Sequence, residues 1–416
     1  MIPEGWSRKN LKDVIEGGVK NGYSPLPAHN ETGLWVLGLG ALQEGEIKLS
    51  EVKPAPDDNK VKASFLESGD FLVSRSNTPE KVGRVAVFRG ESERYSYPDL
   101  MMRFRINERE ASPRFMEQLL KSPSVRGYFR SSSAGSSGSM VKINKSVVEK
   151  TPLLLPPMYE QEKIARVLSA WDAAITISER LVETGQQQKL ALMQNLLTGK
   201  RRLPGFVEEW QLVKMGDIAK RVSEKNNGQS NNVVTISGKR GLIRQTDFFN
   251  KSVASETLDG YTILRKGQFA YNKSYSDGYP MGAIKRLNLY DDAVVTSLYI
   301  CFEVQAADAC EEFMEHYFES GVLNRGLKKV AAEGGRAHGL LNVKPSDFFD
   351  LRLSLPPKEE QKAIAKVLSH ADAKIKAQQR RLDCLRQEKK ALMQQLLTGK
   401  RRVKVEATAP TEEAAC

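Results

Sequence analysis

Two stretches of the chain carry apolar residues at alternating steps of four and three. In the later one, positions 364, 368, 371, 375, 378, 382, 385, 389, 392 and 396 hold Ile, Leu, Ala, Ile, Gln, Leu, Leu, Lys, Leu and Leu. Two hundred residues earlier the same places hold Ile164, Leu168, Trp171, Ile175, Ser178, Val182, Gly185, Lys189, Leu192 and Leu196. A stripe of this period predicts a long helix with a narrow apolar face that needs a partner. Each stripe follows a Pro-Pro pair, 156–157 or 356–357, with Glu160 or Glu359 and Glu360 suited to the positive end of the helix dipole. Each stops near Gly199 or Gly399, expected at positive φ, beside a Lys-Arg-Arg run suited to the negative end. Roughly 40 residues at 1.5 Å rise make about 60 Å of helix.

Elsewhere the apolar runs are short. In residues 1–155, Leu34 to Leu37, Phe71 to Val73 and Val85 to Phe88 are bounded by Gly, Asn, Asp and Ser, which is strand and turn chemistry. Residues 113–129 place Phe115, Leu119, Leu120 and Val125 at helical spacing, predicting one helix packed on the strands. Residues 203–355 repeat this plan. Trp6 and Asp13 match Trp210 and Asp217; Gly69, Asp70, Phe71 and Gly83 match Gly267, Gln268, Phe269 and Gly282. A second late helix is expected over 311–327. The predicted fold class is α+β, two similar globular domains and two long helices in an internal repeat. Residues 1–155, 156–202, 203–355 and 356–402 are its four parts, with 403–416 a disordered tail of small polar composition.

The repeat is direct. Aligning 156–202 with 356–402 gives 26 identities in 47 positions, where average residue usage would give roughly 3. The nearest partner for one stripe is the other, and a pseudo-two-fold arrangement would run them antiparallel. The expected pairing residues are Ile164, Leu168, Trp171, Ile175, Val182 and Gly185 on one helix and Leu368, Ala371, Ile375, Leu382 and Leu385 on the other. With Ser178 and Gln378 near the midpoint, Trp171 would meet Leu385 and Gly185 would meet Ala371, balancing large against small. A kink at Gly185 is the competing expectation, since glycine costs a helix about 1 kcal/mol relative to alanine. Two long core helices of one large domain would also explain the stripes. The globular parts diverge while the helices stay alike, which fits a common scaffold with two recognition faces, or an old duplication whose domains drifted.

Charge narrows the partner. The 416 residues carry a formal charge of +12, with a pI near 9.3, which favours a polyanion. Cys301, Cys310, Cys384 and Cys416 have no CxxC spacing and read as free thiols of a reducing compartment. No signal-like segment and no run of about 18 apolar residues is present; a soluble, cytoplasmic protein without membrane contact is expected.

The order of parts, with Leu-Pro-Pro-x-x-Glu-Gln opening each helix and Leu-Leu-Thr-Gly-Lys-Arg-Arg closing it, resembles the specificity subunit of Type I restriction-modification systems over the whole chain. The resemblance implies two target recognition domains, each reading one half of a split, asymmetric site in double-stranded DNA. It implies helices that set the gap and dock two methyltransferase (M) subunits, with restriction (R) subunits joining for cleavage. No cofactor is expected on this chain; S-adenosylmethionine and ATP are expected on the partner subunits.

Contacts to DNA need cations for phosphates and amides or hydroxyls for base edges. In the first domain Arg75, Ser76 and Asn77 follow the Phe71 strand, with Lys81 and Arg84 beyond. The aligned run in the second domain is Asn272, Lys273, Ser274 and Tyr275. A small, polar segment precedes each Pro-Pro pair: Arg130, Ser139 and Lys142 belong to the first, Arg336 and His338 to the second. Ordinary polar hairpins and loops are the plain alternative for all of these.

Catalytic motifs are lacking. There is no phosphate loop of the Gly-x-x-x-x-Gly-Lys-Ser/Thr kind, each Pro-Pro pair follows Leu155 or Leu355 rather than Asn or Asp, and the four histidines lack zinc spacing. Neither a catalytic nor a metal site is nominated. A non-catalytic DNA-reading subunit is the favoured class; a coiled-coil adaptor and, more remotely, a self-contained restriction enzyme remain alternatives.

Overall fold

The computed structural model describes residues 2–28, 32–137, 140–238, 240–249, 257–276, 278–305, 307, 309–331 and 341–403. The chain divides into two compact units, Met1–Ser178 with Arg381–Cys416, and Glu179–Arg380. The divisions fall inside the long helices, Met158–Leu196 and Lys358–Leu396. Each unit therefore contains one globular domain and a length of both helices.

In the first unit a four-stranded antiparallel sheet runs Ile15–Asn21, Met101–Ile106, Phe71–Ser74, Val85–Val87. Strand alternation sends Phe71 and Val73 to one face and Leu72 to the other, so the sheet separates two cores. The larger core takes Phe104, Phe115 and Phe129 together with Ile164 and Leu168 of one long helix and Met393 and Leu396 of the other. A strap of Ser7–Asn10 paired with Pro152–Leu155 leads into the first long helix.

The second unit repeats the order: Ala219–Val222, Ile300–Val304, Phe269–Asn272, Ala283–Arg286. Phe269 and Tyr271 face the larger core while Ala270 faces the smaller. The larger core again takes both long helices, through Ile364, Leu368, Met193 and Leu196. Its strap is Gln211–Lys214 with Arg352–Leu355. The equivalences expected from sequence hold in the backbone: Asp13 and Asp217 each accept from the N–H three residues earlier, and Gly69 and Gly267 have φ of 94° and 92°. Gly199 and Gly399 have φ of 70° and 69° at the helix ends.

The single helix expected over 113–129 is two, Pro113–Leu120 and Pro123–Ser131. Pro123 lacks an N–H and holds Ser122 extended, and the Ser122 hydroxyl caps the new helix at Val125. The helix expected over 311–327 is likewise Glu311–Glu319 and Asn324–Ala331, parted at Gly321 with φ 76°. No helix among the described residues is long and apolar enough to cross a membrane. Residues 404–416, the greater part of the expected tail, lie outside the described residues.

The helix pairing needs correction in register. Of the nominated residues, Ile164, Leu168, Val182, Leu368 and Leu382 are buried, and Trp171, Ile175, Gly185, Ala371, Ile375 and Leu385 are half-buried. Gly185 faces Ile375 and Gln378 rather than Ala371: a methyl group there would lie 3.2 Å from each of the former. The shift is four residues, about one turn. Two ion pairs lie in this register, Lys189 on Asp372 in the second unit and Lys389 on Asp172 in the first. The latter pair moves the register expected for Trp171 and Leu385 in the same sense. The first long helix runs unbroken through Gly185, whose lack of a side chain leaves room for Ile375.

Candidate nucleic-acid interface

The repeated motif residues turn out to be buried tethers that seat each domain on the helices. Glu160 is 1 % exposed; it accepts from Arg402 Nε at 2.7 Å and Nη2 at 2.8 Å, and from Trp6 Nε1 at 3.2 Å. Glu360, fully buried, accepts from Arg202 Nε at 3.0 Å and Nη2 at 2.5 Å. A bidentate guanidinium is the partner a buried carboxylate needs. Gln161 accepts from the Ser112 N–H and donates to the Pro156 carbonyl, both at 2.9 Å; Gln361 does the same with Cys310 and Pro356 at 2.9 Å. Reading Glu160 and Glu360 only as dipole partners missed this. The signal was present: Glu, Gln, Asp, Lys and Arg recur at these places while neighbouring charges differ.

In the first unit the two nominated segments come together. Ser76–Asn77 pairs with Met140–Lys142, which pairs with Ala134–Ser137, making one small sheet. Pairing buries Ser76 and Asn77, at 1 % and 6 % exposure, so these two side chains are not presented to solvent as expected. Asn77 Nδ2 donates to the Ser74 hydroxyl, and the Ser76 hydroxyl is buried without a partner. Arg75, half-buried, donates to the Asp99 carbonyl, while Lys81 and Lys142 are exposed. Ser139 lies outside the described residues.

Beside this sheet is a cationic cluster that includes a residue not nominated from sequence. Arg126 donates to the carbonyls of Val82 at 2.5 Å and Glu80 at 2.9 Å, and Arg130 donates to the same Glu80 carbonyl at 3.1 Å. Burial, with the charges of Arg130 and Arg84 outweighing Glu44, brings Arg126 down to about 10. Arg84 is half-buried and its Nε has no hydrogen-bond partner. Arg84, Arg126, Arg130 and Lys81 outnumber the Glu44 and Glu80 carboxylates beside them, so the surface gains from an anion. Arg126 was missed because it lies mid-helix, where a lone arginine reads as solvated.

In the second unit Leu341, the first residue described after the second nominated segment, donates its N–H to the Lys273 carbonyl at 3.0 Å. Asn272 donates to the Tyr299 hydroxyl and accepts from the Ser274 N–H. Lys273 and Ser274 are half-buried and Tyr275 is 66 % exposed. Arg336 and His338 lie outside the described residues. The three cysteines described are free, and burial pushes the Cys301 thiol up to about 12, an inert form. Among the described residues no group of His, Cys, Asp or Glu side chains could hold a metal.

A model of the type I restriction modification DNA specificity domain matches residues 3–184 and again 207–387. A protein of Methanocaldococcus jannaschii, provisionally named the MjaX type I restriction enzyme specificity subunit, is 25% identical over 427 residues, covering 97% of this chain and 95% of that one. The EcoKI specificity subunit of Escherichia coli K12 is 25% identical over 195 residues, 46% of this chain and 41% of that protein. In fold, the chain is similar to the type I restriction-modification S subunit of M. genitalium, with a TM-score of 0.56 at 14% identity and 97% of each chain covered. It is similar too to a chain from a structural study of assembly and conformational transition in the type I system, with a TM-score of 0.57 at 16% identity, covering 96% of this chain and all of that one.

Proposed function

The chain belongs to the type I restriction-modification DNA specificity family, and from that premise we propose that it reads a split, asymmetric DNA sequence and directs modification and restriction subunits to it. It is a DNA-recognition subunit, not an enzyme in its own right. One observation carries the proposal: the same tethers, Glu160 with Arg402 and Glu360 with Arg202, seat two domains whose polar surfaces differ. Two unlike readers on one duplicated frame suit a sequence with two unlike halves. The first unit offers Arg75, Lys81, Arg84, Arg126, Arg130 and Lys142 to one half-site. The second offers Asn272, Lys273, Ser274 and Tyr275 to the other. Phosphate contacts give affinity and register, amides and hydroxyls give sequence. The helices serve as spacer and as dock for two M subunits, with R subunits joining for cleavage. S-adenosylmethionine and ATP bind those partners, and the assembly works in the cytoplasm.

The test is a domain exchange. Replacing residues 203–355 by the corresponding domain of another family member should change one half of the selected sequence and leave the other half intact. Binding should weaken steeply with added salt. A selected sequence changed in both halves, or in neither, would sink the two-reader assignment, and salt-insensitive binding would favour an adaptor.

A further inference from the structure

In the second unit, outside the segments considered so far, an open cleft of about 410 Å³ is lined by Asn231, Asn232, Val233, Arg244, Gln245 and Thr246. Its walls are the chain entering strand Val234–Ser237 and the end of the antiparallel strand Gly241–Arg244. Backbone bonds hold them: Gln245 N–H donates to the Val233 carbonyl at 3.0 Å and Val294 N–H to the Asn232 carbonyl at 2.9 Å. Asn232 is committed to structure, donating to the Asp292 carbonyl at 2.9 Å and accepting from Arg244 Nε at 3.2 Å. Arg244 lies 5.4 Å over the Tyr290 ring, exposed, and makes no ion pair among the described residues. Its position is thus set through Nε and the ring. The Gln245 amide oxygen is buried without a hydrogen-bond partner, an unsatisfied acceptor beside the cleft. Asn231 is exposed at the rim.

The lining argues for the edge of a base. Five of the six residues are polar and none is acidic, so hydrogen-bonding groups able to reach a base edge are at hand. A guanidinium matches guanine O6 and N7, and a glutamine amide matches adenine N6 and N7. A cationic ligand finds no complement here, because no carboxylate lines the cleft. We propose that this cleft is a base-reading site of the second unit, with Arg244 taking a guanine and Gln245 an adenine in the half-site. Gln245 turns its amide toward the cleft on binding and satisfies the acceptor left unpaired in the free protein. Asn231 and Thr246 stand at the rim beside them. The inference rests on the chain being a DNA-recognition subunit and adds the bases and residues of one reading contact.

The experiment is selection of duplexes from a randomised pool by the full chain, followed by binding to the selected duplex and to an unrelated one. Arg244→Lys keeps the charge and loses the fork; it should abolish a guanine preference at one position. Gln245→Ala should abolish an adenine preference at another. Gln245→Glu, a near isostere that only accepts, should move that preference toward cytosine. Each loss should weaken the selected duplex by about 5- to 150-fold, with the unrelated duplex bound as before. Variants that unfold at the wild-type denaturant midpoint yet select the wild-type sequence at wild-type affinity overturn the proposal. So does an equal loss on both duplexes, which marks a backbone contact. A wild-type chain that selects no sequence removes the DNA-reading conclusion itself, and this inference with it.

Discussion

The two units seat their helices with the same first set of contacts and complete the seat differently. In the first, Asp172 accepts from Lys389 at 2.5 Å and from Gln118 at 2.8 Å. In the second, Asp372 takes Lys189 at 2.7 Å, and the place of Gln118 is held by His316, 3.9 Å away and bonded instead to the Ser369 hydroxyl. Trp6 donates to Glu160, while the Trp210 indole N–H is buried without a partner. At the helix seats the buried carboxylates are the same in both units, Glu160 and Glu360, because an unmatched buried charge costs several kcal/mol. Around them a neutral amide and an imidazole are exchangeable. The surfaces that meet solvent differ most, a three-stranded sheet edge in one unit and an open amide-lined cleft in the other.

The largest expected effect tests whether the two cores are equally strong. Among the described residues Phe104 stacks on Phe71 alone, at 5.4 Å, whereas Phe302 meets Phe269, Phe318, Phe348 and Phe349. Phe104→Ala and Phe302→Ala should each cost about 3–5 kcal/mol, with Phe302→Ala the greater. Chemical denaturation measures both, and equal losses would break the contrast. Next comes the register. Lys189→Asp places like charges together and should cost about 1–3 kcal/mol, with most of it recovered on adding Asp372→Lys. The cycle at Lys389 and Asp172 should give the same sign; additive losses at either site would show that the pair does not set the register.

A smaller effect separates the reading surfaces. Arg126→Gln should lower the slope of log affinity against log salt by about one unit, as expected for one lost phosphate contact. An unchanged slope would leave Arg126 a structural residue of its helix. The smallest effect is in pH. Burial, with Lys189 next and with Asp372 and Glu319 opposing, holds the His316 imidazole below the ordinary histidine range. The unfolded chain therefore takes the proton before the folded one. The stability contribution of neutral His316 is complete above its unfolded pKa of about 6.5 and is lost as pH falls through that value toward the lower folded one. His316→Gln, copying the first unit, should flatten this acid-side loss in denaturation midpoints measured between pH 5 and pH 8.

The long helices, their ends at Gly199 and Gly399, and the central strands at Phe71 and Phe269 were legible, because caps, periodicity and turns act within a few residues. The breaks at Pro123 and Gly321 were legible in principle, and the apolar spacing carried across them. Of the interface, Lys81 and Lys142 stand exposed as expected. Ser76 and Asn77 were misplaced, because exposure of a polar residue depends on whether another strand covers it. Arg126, Arg244 and Gln245 carried no local signal, since the walls they belong to are assembled from separate parts of the chain.

By itself, the sequence determined that the protein is a duplicated α+β chain with two heptad helices, and it carried the motif by which the family is identified. Those properties are written in local spacing and in identities at an offset of two hundred. Tertiary structure alone decided which residues oppose each other across the helices. Apolar size matching favoured Gly185 against Ala371, yet Lys189 and Lys389 each needed a carboxylate close by, and satisfying them moved the register by a turn. Leaving a partly buried lysine without its carboxylate costs more than mismatching one small pair.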